Sequence, residues 1–584
     1  MKETKVVSRP ISEETQKRIH VLVALIFLLS LIYTARLFQI QVLQRFYYKD
    51  LAKKQYIRPF FDSFDRGSIY MRSGKVYTPL AEISTLYDIG VNPSHVKDSQ
   101  IASLRTYLVS KNIYDEKLFE ERITKKNDPY ELISKNVPEE VANSLNLKKY
   151  ELSLTSRNIR VYTGEENGAK IVGFVGDDGL GVRGLYGVEK YYDTELSRND
   201  EGVKVNFFAD LFSNIKVDQV NNDSKKHGDI YLTIEDKAER MLHSELLKAK
   251  ETWKSEIAGG IIMDPQTGEI IAMDVVPGYN ANEFSKVDDP SLFANQMVSG
   301  VYEMGSIIKP LTMAAALDSG TVTESTTYID TGFRELDGYK VRNFDSKARG
   351  LTNMQTILDK SLNVGIVFLV EKMGKDLFQK YFKNYGLAEE TGIDLPSEAN
   401  GLSKNLDSNV FVDSATAGFG QGIALTPIQT IRALASIGNG GKLVTPHVLD
   451  KIVYEDGTEK KYEIDQDPKK VIKPETSERI SRMLVHVVDT ALKNGTYKMS
   501  EYSIAAKTGT AQMSKPGGGY YDDRYLHSFF GYFPAYHPKY VIFLFHTYPK
   551  GAEYASATLT DPFFNIVKFL ISYYQIPPDR GMTR

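Results

Sequence analysis

Residues 19–35 read IHVLVALIFLLSLIYTA, an apolar run broken only by His20, Ser30 and Thr34. A run of that length is about the minimum that crosses a bilayer's hydrocarbon core as a helix. It constrains the chain more than any other feature, because one span leaves everything after it on one side of a membrane. The competing reading is a cleaved signal peptide. Against it, no small-x-small cleavage site follows, and the helical pattern continues through RLFQIQVLQ. We expect a short segment over residues 1–18, an anchor helix over 19–40 and soluble domains beyond. Basic residues do not fix the orientation, since Lys5, Arg9, Lys17 and Arg18 precede the run and Arg36, Arg45, Lys49, Lys53 and Lys54 follow it.

The 584 residues suffice for about two to four domains. With 42% hydrophobic and 25% charged residues the chain can bury sizeable cores, and a net charge of −3 speaks against a nucleic-acid binder. There is no cysteine, which excludes disulfides, thiol nucleophiles and cysteine metal sites. His227, His527, His537 and His546 are scattered without metal-ligand spacing, so structural or surface roles are expected of them.

Residues 45–225 mix short β-like runs such as STLYDIGV with helix-like ones such as VPEEVANSLNL, and a polar patch over 221–229 reads as a boundary. A second pattern then fills 229–578. DIYLTI alternates like a strand, and EDKAERMLHSELLKAKETW has helical periodicity. AGGIIMDPQTGEIIAMDVV is a hairpin around Pro-Gln-Thr-Gly, KYVIFLFHTY is a buried strand, and a helix closes the chain near 562–574. The expected class is α+β, with the domain's N- and C-terminal strands sharing one antiparallel sheet flanked by helices.

Three motifs follow one another in this second region. GSIIK places Ser306 and Lys309 at helical spacing, DKSLNVGI contains Ser361 and Asn363, and IAAKTGTAQ contains Lys507, Thr508, Gly509 and Thr510. Each is weak alone: SHVK and SNIK repeat the first spacing, and Ser144-Leu145-Asn146 repeats the second tripeptide inside an apparent helix. The order Ser-x-x-Lys, Ser-x-Asn, Lys-Thr-Gly is specific, because it is the trio of penicillin-binding proteins and related β-lactamases. The chain resembles the class B penicillin-binding proteins, membrane-anchored D,D-transpeptidases of bacterial wall synthesis. RGSIYMRSGK is similar to that family's Arg-Gly-x-Ile-x-Asp-Arg-x-Gly signature, with Met71 for Asp, and Met304 replaces the usual Pro before Gly-Ser. GFVGDDGLGVRGLYGVEKYYD is similar to the family's segment ending Glu-x-x-(Tyr/Phe)-Asp.

Gly305 can turn the chain into a helix whose N-terminus favours negative charge at Ser306. Lys309 lies on the same face, within reach of that hydroxyl, and apolar surroundings would lower its pKa enough to make it a base. A lysine snorkelling from a core helix is the structural alternative. The resemblance implies that Ser306 is the nucleophile, that Ser361 relays a proton between Lys309 and the leaving amine, and that Asn363 bonds the substrate's peptide carbonyl. It implies that Lys507, Thr508 and Thr510 bind the terminal carboxylate, with the backbone N–H groups of Ser306 and Thr510 as oxyanion hole. Gly509, lacking a side chain, would let an extended peptide pair with the strand edge. A helix-capping turn at Ser361 and a hairpin turn at Lys507 are the structural alternatives.

By resemblance the substrates are peptidoglycan stem peptides, β-lactams are covalent inhibitors, and no metal or other cofactor is needed. The catalytic domain would lie outside the cytoplasmic membrane, on a non-catalytic pedestal over 45–225. SLNVG, KTGTA and VYEMGS look more like the cell-division (FtsI-like) type than the elongation type, with a SEDS glycosyltransferase (FtsW-like) and other divisome proteins as partners. A D,D-carboxypeptidase or β-lactamase, and a weakly catalytic activator of a glycosyltransferase, are the rival readings.

Overall fold

The computed structural model describes residues 65–198 and 227–581, four single positions excepted, with scattered positions between 25 and 36. The anchor expected over 19–40 therefore lies outside the described residues but for those positions. Among the described residues no helix is long and apolar enough to cross a membrane.

The first sheet begins with a hairpin, β1 (Ile69–Ser73) and β2 (Val76–Val91), and β3 (Glu131–Pro138) and β4 (Leu152–Tyr162) both pair antiparallel with β2. The DIYLTI run becomes β5 (Gly228–Glu235), which lies parallel to β1, and Leu449–Tyr454 adds antiparallel to β5. This sheet therefore crosses residue 229, where the polar patch suggested a boundary. Leu104, Leu108 and Phe119 pack with Ile133 of β3 in a separate small core. Ser144-Leu145-Asn146 is not inside a helix: it separates Glu139–Asn143 from Leu147–Tyr150, and the Asn146 side chain caps the second by accepting from Lys149 N–H.

The two N-terminal signature segments meet in a buried ion cluster. Arg66 Nε donates to Glu189 Oε2 at 2.6 Å, Arg160 Nε donates to Glu189 Oε1 at 2.7 Å, and Arg66 also pairs with Asp193 at 2.8 Å. Burial alone would raise the Glu189 carboxyl, but Arg160 and Arg66 outweigh it and hold it below the usual range. From the same signature, Arg72 pairs with Glu269 at 2.9 Å and Asp450 at 3.0 Å, tying β1 to the next domain. Met71 is buried in β1.

The second sheet has the order β8–β9–β10–β6–β7, all antiparallel: β6 (Ala258–Met263), β7 (Ile270–Val276), β8 (Ala505–Ser514), β9 (Tyr520–Phe533) and β10 (Tyr540–Thr547). The pairing of β10 with β6 joins the two ends of the domain, as the sequence implied. On one face, Ala238, Leu242 and Leu246 of α1 (Asp236–Trp253) and Phe563 and Val567 of the closing helix meet Ile542 and Leu544. Strand β10 is buried on both faces, which is why it reads as a continuous apolar run.

The remainder is a helical layer built around α2 (Lys309–Asp318), every residue of which is buried up to Leu317. A helix buried all round belongs at the centre of its layer. Packed around it are α3 (Met354–Asp359), α4 (Asn363–Met373) and α5 (Pro474–His486).

Candidate active site

Ser306 lies one turn ahead of α2, in a 3₁₀ turn over Gly305–Ile308, so Lys309 and not Ser306 opens the α-helix. Gly305 has φ +65°, a region glycine enters freely. Its N–H donates to Gly420 C=O at 3.0 Å, and a Cβ on Gly420 would meet Gly305 O at 2.2 Å. This contact explains the first glycine of FGQG. Met304, in proline's place, has φ −86°, close to the value proline fixes, and its carbonyl accepts from Ser528 Oγ at 2.8 Å.

Lys309 Nζ donates to Ser361 O at 2.6 Å, Asn363 Oδ1 at 2.8 Å and Ser361 Oγ at 3.2 Å. The expected link to the serine hydroxyl is thus made to Ser361, not Ser306. Two of the three partners only accept, whereas the Ser361 hydroxyl can reverse and donate. A neutral Lys309 can keep the first two bonds and turn its lone pair toward a hydroxyl. Burial, reinforced by the charge of Lys507, holds this amine well below the usual lysine range. Ser361 has φ +54°, between α3 and α4, which aims its side chain at both lysines. Lys507 Nζ donates to the same Oγ at 3.1 Å and to Thr508 O at 2.9 Å. Burial brings Lys507 down to about 8, opposed by Asp359. The Asn363 amide is engaged at both ends, since its Nδ2 donates to Arg342 O at 2.9 Å.

Lys507, Thr508, Gly509 and Thr510 lie inside β8, an edge strand, not in a turn. Gly509 serves packing beneath the strand and not access to its edge. Strand side chains project from the faces of a sheet, not its edge. A Cβ at 509 would meet Ser528 Oγ at 2.3 Å and Met304 O at 2.7 Å. Gly509 therefore lets the turn carrying Ser306 pack onto β8. A Cβ on Gly305 would meet Thr510 O at 2.9 Å, so the backbones of the turn and of Thr510 are in contact. Thr510 Oγ1 accepts from Ala555 N–H at 3.1 Å, fastening the loop after β10.

Ser306, Ser361, Asn363, Lys507, Thr508 and Thr510 line one groove of about 1190 Å³. Lys309 is buried beneath it. Sequence reading missed two acids here. Glu303 Oε1 accepts from Gly422 N–H and Tyr520 O–H, each at 3.1 Å, joining the segment before Ser306 to the Gly422 loop and the start of β9. Asp359 lies two residues before Ser361 in the groove wall. Only their proximity to the motifs signalled either. His527 and His546 are buried and bonded to Thr558 at 3.0 and 2.9 Å, as structural side chains.

Comparison with known proteins fits this architecture. Residues 258–567 match the penicillin-binding protein transpeptidase domain and residues 63–232 match the penicillin-binding protein dimerisation domain. Stage V sporulation protein D of Bacillus subtilis is 31% identical over 525 residues, covering 88% of this chain and 78% of that protein. Peptidoglycan D,D-transpeptidase FtsI of Escherichia coli is 26% identical, covering 89% of this chain and 86% of that protein. Penicillin-binding protein 3 of Mycobacterium tuberculosis, solved with aztreonam, shares the fold at a TM-score of 0.67 and 22% identity, over 90% of this chain and 99% of that one. With the dimerisation domain matched ahead of the transpeptidase domain, the chain belongs to the class B penicillin-binding proteins.

Proposed function

We propose that this protein is a serine-type peptidoglycan D,D-transpeptidase with Ser306 as nucleophile, acting in septal wall synthesis. One observation carries the reading: the Ser361 hydroxyl lies 3.2 Å from Lys309 Nζ and 3.1 Å from Lys507 Nζ, in the groove that holds Ser306 beside the edge strand β8.

Neutral Lys309 takes the Ser306 proton as Oγ bonds to the carbonyl carbon of the penultimate D-Ala. The resulting oxyanion sits against the Ser306 and Thr510 N–H groups; losing one such donor typically costs about 100- to 1,000-fold in rate. The peptide C–N bond breaks, and D-Ala leaves after its amine receives the Lys309 proton through Ser361. The amine of a second stem peptide then attacks the ester, returns a proton along the same route, and leaves as the cross-linked amide with Ser306 restored. Charged Lys507, with Thr508 and Thr510, holds the substrate's terminal carboxylate. Asn363 acts first on Lys309, and reaches the substrate amide by exchanging its Arg342 bond. β-Lactams follow the first half of this route and stop at the ester.

The reading extends to an anchor over 19–40, with residues 1–18 in the cytoplasm and the catalytic domain outside, because the substrate is external. It also extends to a SEDS glycosyltransferase of the FtsW kind as partner. Incubating the full chain with a donor peptide ending in D-Ala-D-Ala and an acceptor amine tests the chemistry. Free D-Ala and a cross-linked product are expected, both absent in Ser306→Ala. A hydrolysed donor without cross-link would make it a carboxypeptidase.

A further inference from the structure

Thr510 has buried neighbours that the chemistry above leaves unused. Across the sheet it pairs with His527 of β9, and His527 pairs with His546 of β10. Directly opposed residues share a face, so the three side chains stand in one row. Both histidines are fully buried. Bonded to this row is the segment 553–558, whose residues Glu553, Tyr554, Ala555 and Ser556 line the groove with Ser306.

A single hydrogen-bond chain makes the connection. Ser255 Oγ lies 2.7 Å from His546 Nδ1, and His546 Nε2 lies 2.9 Å from Thr558 Oγ1. The same Thr558 Oγ1 lies 3.0 Å from His527 Nδ1, and His527 Nε2 lies 3.2 Å from Glu553 O. The last contact fixes the direction of all the others. A carbonyl only accepts, so His527 carries its proton on Nε2, and Nδ1 of the neutral ring accepts from Thr558 O–H. The other acceptor near Thr558, Ala555 O, is farther away at 3.4 Å. With its one hydrogen engaged, Thr558 Oγ1 accepts from His546 Nε2–H, and His546 Nδ1 accepts from Ser255 O–H. None of these partners is a carboxylate, and burial brings His527 to about 4 and His546 to about 3, so both rings stay neutral.

The segment is held at a second point on the same row. Ala555 N–H donates to Thr510 Oγ1 at 3.1 Å. An oxygen that accepts there directs its own hydrogen away from that N–H. Thr510 lines the groove, so its hydrogen is available to a bound carboxylate.

We propose that His527 is a positioning residue: through Glu553 C=O it sets the segment whose Ala555 N–H turns the Thr510 hydroxyl toward the substrate's terminal carboxylate. Thr558 and His546 hold His527 in the tautomer that this requires. The assignment rests on the reading of Ser306 as nucleophile and Thr510 as a carboxylate-binding residue.

The test compares a penicillin with its methyl ester, which lacks the free carboxylate, as acylating agents of the full chain in detergent, read by intact mass. In the wild type the free acid reacts faster. His527→Leu removes the donor to Glu553 and is expected to lower the acid-to-ester rate ratio about tenfold, the effect of one hydrogen bond. His527→Gln offers its own Nε2–H to Glu553 C=O and is expected to recover most of that ratio. Thr558→Val, similar in shape but without the hydroxyl, is expected to lower the ratio as well, and it decides the question if His527→Leu does not fold. An unchanged ratio in His527→Leu and Thr558→Val, whether or not both rates fall, overturns the role of His527, as does a ratio that His527→Gln fails to recover. A folded wild type that neither compound labels overturns instead the Ser306 reading, and one that labels equally with both overturns the carboxylate reading of Thr510.

Discussion

The pedestal and the groove each bury cationic side chains, and they treat them in opposite ways. In the pedestal, Arg66 and Arg160 clasp Glu189 at 2.6 and 2.7 Å, and Glu189 and Asp193 outweigh the burial of Arg66 and hold its charge. In the groove, Lys309 and Lys507 face each other across a neutral hydroxyl, and burial pulls both amines down. A buried charge with its counter-ion is a clamp, whose proton is locked. A buried amine without one gives up its proton more readily, and Lys309 is the amine whose proton acyl transfer moves.

This contrast gives its largest effect at Lys309. Lys309→Met should lower penicillin acylation by about 100- to 10,000-fold, the range for a general base, while circular dichroism still shows a cooperative melt. Lys309→Arg should do no better, since a guanidinium does not give up its proton. The pedestal should answer the other way. Glu189→Gln removes the carboxylate that two buried guanidiniums share and leaves Arg66 only Asp193, a loss of about 3–5 kcal/mol in denaturant unfolding, yet the folded fraction should label normally. Stability unchanged with labelling abolished would break the comparison. Gly509→Ala tests whether position matters as much as charge. The new methyl pushes the Met304 turn off β8, and a shift of about 1 Å in a nucleophile costs on the order of 100-fold.

The smallest effect is on pH. Lys507 sits at about 8 when folded, against an ordinary 10.5. Between those values the unfolded chain binds more protons, so its contribution makes stability rise with pH across that window. Acylation should fall over the same window as Lys507 loses its charge. Denaturation midpoints and labelling rates moving in opposite directions would sharpen the account, and a common fall would contradict it.

Much of this was legible in the sequence for identifiable reasons. Strand β10 reads as a strand because both faces are buried, and α1 reads as a helix because one face is. The three motifs named the residues that the groove collects. Alternation makes DIYLTI a strand, but nothing local says which sheet it joins, and its partner β1 lies far back in the chain. Arg66 and Glu189 are 123 residues apart, so their pairing has no local trace. Gly509 was legible as a glycine but not for its reason, because the atoms it makes room for come from Met304 and Ser528. Asp359 is an ordinary helix-end aspartate until the fold brings His486 beside it.

The most direct test of the central claim is mass spectrometry of the peptide labelled by a fluorescent penicillin, in the wild type and in Ser306→Ala. The account predicts a stable adduct on Ser306 that the variant lacks. A label on another residue, or none on a folded wild type, would contradict it.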